Sequence, residues 1–356
     1  MNPMTLPCNT SPPARQTGLS LVELMISLTI GLVLLLGIST LIVQQSSSRS
    51  EMEKSGRQIE NGRYAMQLLH DDIQLSGFYD GYSPASGVAI TTTNPCDTTN
   101  NTANLGTTGN LGWINNAAAP FVPVPIFGYA GAITDPTPTT CLNNYQANTA
   151  VLVIRRASTV ATAASLAVAD NAAAVAAVPP RQPTTYLQVS KCKNDTTPFV
   201  LGTSGYTLFE NNCTTLASVR PYIVRIYYIS RCSGNACANN TAVDIPTLKM
   251  EEFVGGTRST VPLAEGIENM QLDYGIDTSG DGAPDSYTPT LTAANAPNVM
   301  TVRVNLLARN NEATTGYADS KTYNLGAVTI AATNDKFKRH AYSQLVRAIN
   351  PSGRRE

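Results

Sequence analysis

The chain separates first by where its apolar residues fall. From Leu24 to Val43 there is no charged residue. At about 1.5 Å of rise per residue, a helix over that stretch spans roughly 30 Å, the thickness of a bilayer's hydrocarbon core. Polarity returns at Gln44-Gln45-Ser46-Ser47-Ser48. Met52, Ile59, Met66, Leu69 and Ile73 then recur at sevens, threes and fours, one apolar face of a continuing helix. No proline interrupts it before Pro84, and Ser76-Gly77-Phe78 supplies a stop. Gly56 and Gly62 each cost it about 1 kcal/mol relative to alanine, so its stability must come from packing. The pattern predicts one helix over about 19–76, its first half in a membrane and its second lying on a sheet. A free amphipathic coiled coil is the alternative reading.

Beyond Phe78 the period changes to two. Strands are expected at 150–156, 186–190, 222–230, 247–255, 268–277, 298–310 and 337–349. In the sixth, Met300, Val302, Val304 and Leu306 share one face, and Val299, Thr301, Arg303 and Asn305 fall on the other. Residues 91–147 are rich in Thr, Asn, Pro and Gly and read as a long irregular insertion. The Ala-rich run 157–179 fits either a helix or a loop. Twenty-two prolines argue against a mainly helical head. The fold expected is α+β: a long N-terminal helix on a C-terminal antiparallel sheet.

One acid, Glu23, stands near the start of the apolar run, where a carboxylate is costly in lipid by up to about 3 kcal/mol. It lies five residues after Gly18, in Gly18-Leu19-Ser20-Leu21-Val22-Glu23-Leu24-Met25. An ordinary signal anchor with a tolerated acid is the plain reading. The stretch resembles the leader signal of type IV pilins and type II secretion pseudopilins. That resemblance implies cleavage by a prepilin peptidase between Gly18 and Leu19, N-methylation of Leu19, and an assembly role for Glu23. Phenylalanine usually stands where this chain has Leu19. Several segments resemble PilW-type minor pilins in particular: RYAMQLLHDDIQLSGF, FYDGYSPASG, LAEGIENMQLDYGIDTSGDG, VRVNLLARN and FKRHAYSQLVRAIN. Residues 91–220 resemble nothing so specific. The division implied is a leader at 1–18, a helix at 19–78 (transmembrane 19–43, amphipathic 44–76) and a head at 79–356.

Residues 1–18 lack the apolar core and small-residue site of a secretory signal. Arg15 is a weak positive-inside cue, and Arg49, Lys54, Arg57 and Arg63 point the other way. The cysteines give better guidance. Removing the leader removes Cys8 and leaves six: Cys96, Cys141, Cys192, Cys213, Cys232 and Cys237. An even set without a C-x-x-C pair reads as disulfides in an oxidising compartment. Six cysteines allow fifteen pairings. Neighbours in sequence are the favoured ones, Cys232 with Cys237 above all; six reduced thiols are the alternative.

Net charge is −1 and carries no basic excess, so nucleic acid is not an expected partner. There is no H-E-x-x-H, P-loop or G-x-S-x-G, and the only histidines are His70 and His340. Catalysis is not expected. The resemblance implies a minor pilin that primes pilus assembly in a tip complex with other minor pilins and the major pilin. Its head would be periplasmic while the helix is in the inner membrane, and at the cell surface after assembly. A J-type pseudopilin and a tip adhesin with its ligand site in 91–220 remain the alternatives.

A last motif concerns calcium. Asp277, Ser279, Asp281 and Asp285 stand at positions one, three, five and nine of an EF-hand-like loop. Gly282 is at position six and the Ala283 carbonyl at position seven. Thr288 occupies position twelve, so the usual glutamate is missing and a weak structural Ca2+ site is the expectation. The competing reading is an acid-capped turn between strands.

Overall fold

A computed structural model describes residues 18, 20–82, 96, 124–131, 141–161, 186–202, 205–238, 244–254, 257–292 and 294–355. The expected cleavage partner Leu19, the Ala-rich run beyond residue 161 and most of 91–147 lie outside the described residues. The chain divides into two units, Met1–Glu53 and Lys54–Glu356.

Helix α1, Leu21–Leu75, begins in the first unit and ends in the second. In the first unit every large apolar side chain from Leu21 to Val43 is between 52% and 75% exposed. Ser27, Thr29 and Ser39 return their hydroxyls to carbonyls one turn back, at 2.7–3.0 Å. The hydroxyls that interrupt the apolar run are therefore satisfied within the helix itself.

Among the described residues, the second unit holds three antiparallel sheets. The seven-stranded one comprises β1 (Ile126–Tyr129), β2 (Val151–Ala157), β3 (Tyr186–Val189), β4 (Phe199–Gly202), β5 (Val219–Ser230), β6 (Thr247–Val254) and β7 (Thr257–Glu265). The twelve-residue β5 organises it, pairing with β2, β3 and β6 along successive stretches. The four-stranded sheet has the order β13-β10-β8-β9. Its members are β8 (Ile267–Ile276), β9 (Ser286–Thr288), β10 (Val299–Arg309) and β13 (Arg339–Arg347). A hairpin of β11 (Tyr323–Leu325) and β12 (Val328–Ile330) forms the third sheet. A short helix, α2, Ile349–Gly353, follows β13.

All seven expected strands are present within a few residues. Those that the periodicity missed, β1, β4, β7, β9, β11 and β12, are mostly three or four residues long, too short for alternation to register. The nine-residue β7 was hidden by Pro262, tolerated there because among the described residues β7 pairs with β6 alone. In β10 the alternation reads correctly: Met300, Val302, Val304 and Leu306 are buried. Thr301 and Asn305 on the other face are buried too. Asn305 meets Asp273 at 3.3 Å and Ser343 at 2.7 Å. Gly326 of the hairpin, at φ +77°, sits so close to Asp273 and Asn305 that a side chain there would collide with both.

The second half of α1 corrects one expectation. Its buried residues are Gln58, Gly62, Ala65, Met66, Leu69, Asp72 and Ile73. Met52 and Ile59 are exposed, at 68% and 48%. The buried stripe steps by fours and threes through a glutamine, a glycine and an aspartate, which an apolar-only count skips. Gly62 is a close-approach residue: a Cβ there would run into the Tyr342 ring of β13. Gln58 donates to the carbonyls of Ala308 and Lys338 at 2.7 and 3.1 Å. Burying these polar side chains is tolerated because each finds a partner.

Candidate functional site

At the start of α1, Ser20 is the last residue before the helix. Its carbonyl accepts the first intrahelical bond, from Leu24 N–H at 3.1 Å. Its own N–H donates to Glu23 Oε2 at 3.1 Å. A glutamate three residues into a helix, reaching back to the capping residue's N–H, is half of a capping box. Gly18 lies outside the helix and is exposed. Gly18 therefore precedes the helical segment, and Glu23 is held at the helix start by the Ser20 N–H.

The second notable set is where α1 is seated. Asp72 Oδ1 accepts from Arg156 Nε at 2.8 Å and Arg225 Nη1 at 3.2 Å, and Oδ2 accepts from Tyr227 Oη at 2.6 Å. Arg225 in turn meets Glu252 at 2.8 Å. Burial pushes the Asp72 carboxyl up, but Arg225, Arg156 and the Tyr227 hydroxyl outweigh it and hold it below the usual carboxylate range. Two strands of the large sheet, β2 and β5, thus supply the cations for one buried acid on the helix. Of the two histidines, His70 Nδ1 lies 3.0 Å from Gln344 Nε2, and His340 packs edge-on against Tyr342.

The six cysteines form Cys96–Cys141, Cys192–Cys213 and Cys232–Cys237, closing separations of 45, 21 and 5 residues. Sulfurs of Cys232 and Cys237 also lie near the Asp244 carboxylate. Joined to each other, they are not thiolate ligands for a metal.

The loop 277–285 is drawn in upon itself. Asp277 is fully buried. Its Oδ1 accepts from Gly280 N–H at 2.6 Å, and its Oδ2 accepts from Gly282 N–H at 2.9 Å and Arg355 Nη1 at 3.1 Å. Burial pushes this carboxyl up, but the two N–H groups and the guanidinium bring it to about 2. Asp285 Oδ2 accepts from the Thr278 hydroxyl and from the N–H groups of Thr278 and Ser279 at 2.7–2.9 Å. Asp281 accepts from Ala283 N–H at 2.9 Å. Gly280 and Gly282 both have positive φ. In this structure the cation held by Asp277 is the guanidinium of Arg355. Ser279 donates its hydroxyl to Asp277 at 3.2 Å. A strand, β9, follows the loop instead of the second helix of an EF-hand.

Comparison with known proteins returned two family models on one chain. "Prokaryotic N-terminal methylation motif" matches residues 13–39. "Type IV Pilus-assembly protein W", PilW, matches residues 226–350, from β5 into α2. No curated protein matches the chain. Among solved structures, a type IV-like pilin from Thermus thermophilus is 14% identical, with a TM-score of 0.25 over 48% of this chain and 84% of that one. The helix that bears the methylation motif thus stands on the same chain as a match to the PilW family, and the two matches together support a PilW-like minor pilin of the type IV pilus.

Proposed function

We propose that this minor pilin primes pilus assembly and stays at the pilus tip, in a complex with other minor pilins and the major pilin. The observation that carries the reading is the pairing of a methylation motif at 13–39 with a PilW match at 226–350. The chain acts as a substrate of the prepilin peptidase and not as an enzyme. Cleavage falls between Gly18 and Leu19, and Leu19 receives the methyl group. Before assembly α1 anchors the protein in the inner membrane with its head in the periplasm, the oxidising compartment that three disulfides require. On assembly the subunit leaves the bilayer, and the Glu23 carboxylate pairs with the amine that cleavage creates on Leu19, a neighbour's or its own. Pairing offsets a desolvation that neither charge could bear alone.

The test uses Glu23→Ala in a strain lacking the native protein. The variant is expected at mature size in the membrane but reduced several-fold in sheared pili. Wild-type amounts in the sheared fraction would overturn the assembly role. Loss of surface pili in the deletion strain supports priming, whereas intact pili with lost surface binding would favour the adhesin reading.

A further inference from the structure

The segment after β13 grips the second unit at two places. Asn350 Nδ2 donates to the Ser76 carbonyl at 3.1 Å, and Arg354 Nη2 donates to the Gly77 carbonyl. Both acceptors stand just past the last turn of α1, where carbonyls lack intrahelical donors and the helix dipole favours positive charge. The Arg354 guanidinium also lies 5.6 Å from the centre of the Tyr79 ring. Gly77 has φ +70°, and a Cβ there would press on Pro125 at 2.9 Å. One residue further on, Arg355 reaches the other way. Its Nη1 donates to the Asp277 carbonyl at 3.2 Å and to Oδ2 at 3.1 Å, and its Nη2 donates to Asn298 Oδ1. Between Asn350 and Arg354, Ser352 is fully buried, accepting from Arg347 Nε at 2.8 Å and donating to the Ala348 carbonyl at 2.9 Å.

We propose that residues 349–355 are a latch with two ends, coupling the foot of α1 to the loop 277–285. A helix of five residues has no stability of its own. Its place is set by these side-chain anchors, and each anchor shares the entropy cost of ordering the segment with the others. Releasing Arg355 from Asp277 leaves Asn350 and Arg354 to hold the segment alone, so the turn at Ser76–Tyr79 opens more often. By linkage the reverse holds: releasing Arg354 loosens the loop. The coupling does not depend on the pilus role.

Hydrogen exchange on the full chain in detergent tests it, with melting by circular dichroism as the check on folding. Arg355→Gln is expected to speed exchange about tenfold at 278–282 and also at Gly77, whose N–H donates to the Arg155 carbonyl at 3.0 Å. Arg354→Gln should speed exchange at 278–282, which it does not touch. Arg355→Lys keeps the charge without the fork and should fall between wild type and Arg355→Gln; it carries the test if the glutamine variant does not fold. Faster exchange confined to each variant's own contacts, with Gly77 at the wild-type rate in the Arg355 variants, would overturn the coupling.

Discussion

The two halves of α1 invert each other. Leu21–Val43 is apolar and exposed on all sides, whereas the stretch Lys54–Leu75 buries a glutamine, a glycine and an aspartate. One is built for surroundings that this chain does not itself supply. The other is fitted to partners inside its own head. The difference teaches that composition reports the medium an element is made for, while burial reports which particular groups it has been matched to. A hydrophobic helix tolerates many substitutions at constant polarity; a matched one tolerates few.

The comparison can be broken most completely at Gly18. A Gly18→Arg variant is expected to remain entirely at precursor size in the membrane fraction. Mature-size protein in that strain would remove the cleavage assignment and with it the reading of the exposed half.

Next is Asp72→Asn, which leaves Arg156 and Arg225 facing an uncharged amide. Breaking a buried pair on one side costs about 3–5 kcal/mol, read as a lower midpoint in urea. Asp72 titrates lower folded than unfolded. Its stabilisation is therefore complete above the ordinary carboxylate value near 3.9 and is lost as pH falls through the lower, folded one. The wild type should lose stability below about pH 4 more steeply than Asp72→Asn. Equal acid slopes would mean that the ion pairs contribute nothing net.

Gly62→Leu sharpens the contrast within the helix. In an isolated helix leucine is better than glycine by about 1 kcal/mol. Against the Tyr342 ring the same change should cost about 1–3 kcal/mol through overpacking. Gly56, with nothing near its missing Cβ, should gain from Gly56→Ala. Thermal melts of the two variants should move in opposite directions.

These residues also mark how far the sequence could be read. The exposed half was legible as one continuous apolar helix, because a count of uncharged residues suffices to recognise such a run. The head's longer strands were legible from alternation. The matched half was legible as a helix but not as an interface, because Met52 and Ile59 look like core until Gln58, Gly62 and Asp72 are known to have partners. Those partners, Lys338, Tyr342 and Arg156, lie 84 to 280 residues away, and no local period records them. The loop 277–285 was legible as an oxygen-rich turn. That Arg355 holds it was not, since an arginine so distant in sequence carries no motif.

The smallest expected effect separates metal from arginine at that loop. We propose that calcium binds there weakly, in competition with Arg355. Calcium in place of chelator should raise the wild-type melting temperature by only a degree or so, and by more in Arg355→Gln, where the competitor is gone. Identical curves in both proteins would leave only a turn.

The contacts that seat α1 also set a timetable. Gln344 meets His70 from 274 residues downstream, and Lys338 meets Gln58 from 280. At roughly 5–20 residues per second, a ribosome that has just made the helix needs some tens of seconds to reach the strand that receives it. The helix therefore waits with its glutamine and its close-approach glycine unmatched while the long-range β pairing, intrinsically slow to form, is still incomplete. During that interval the apolar half can enter a bilayer at once, but the matched half has nowhere to go. Anchoring comes first and closure of the head last, so a chain halted before β13 would be held at the membrane with its docking stripe open.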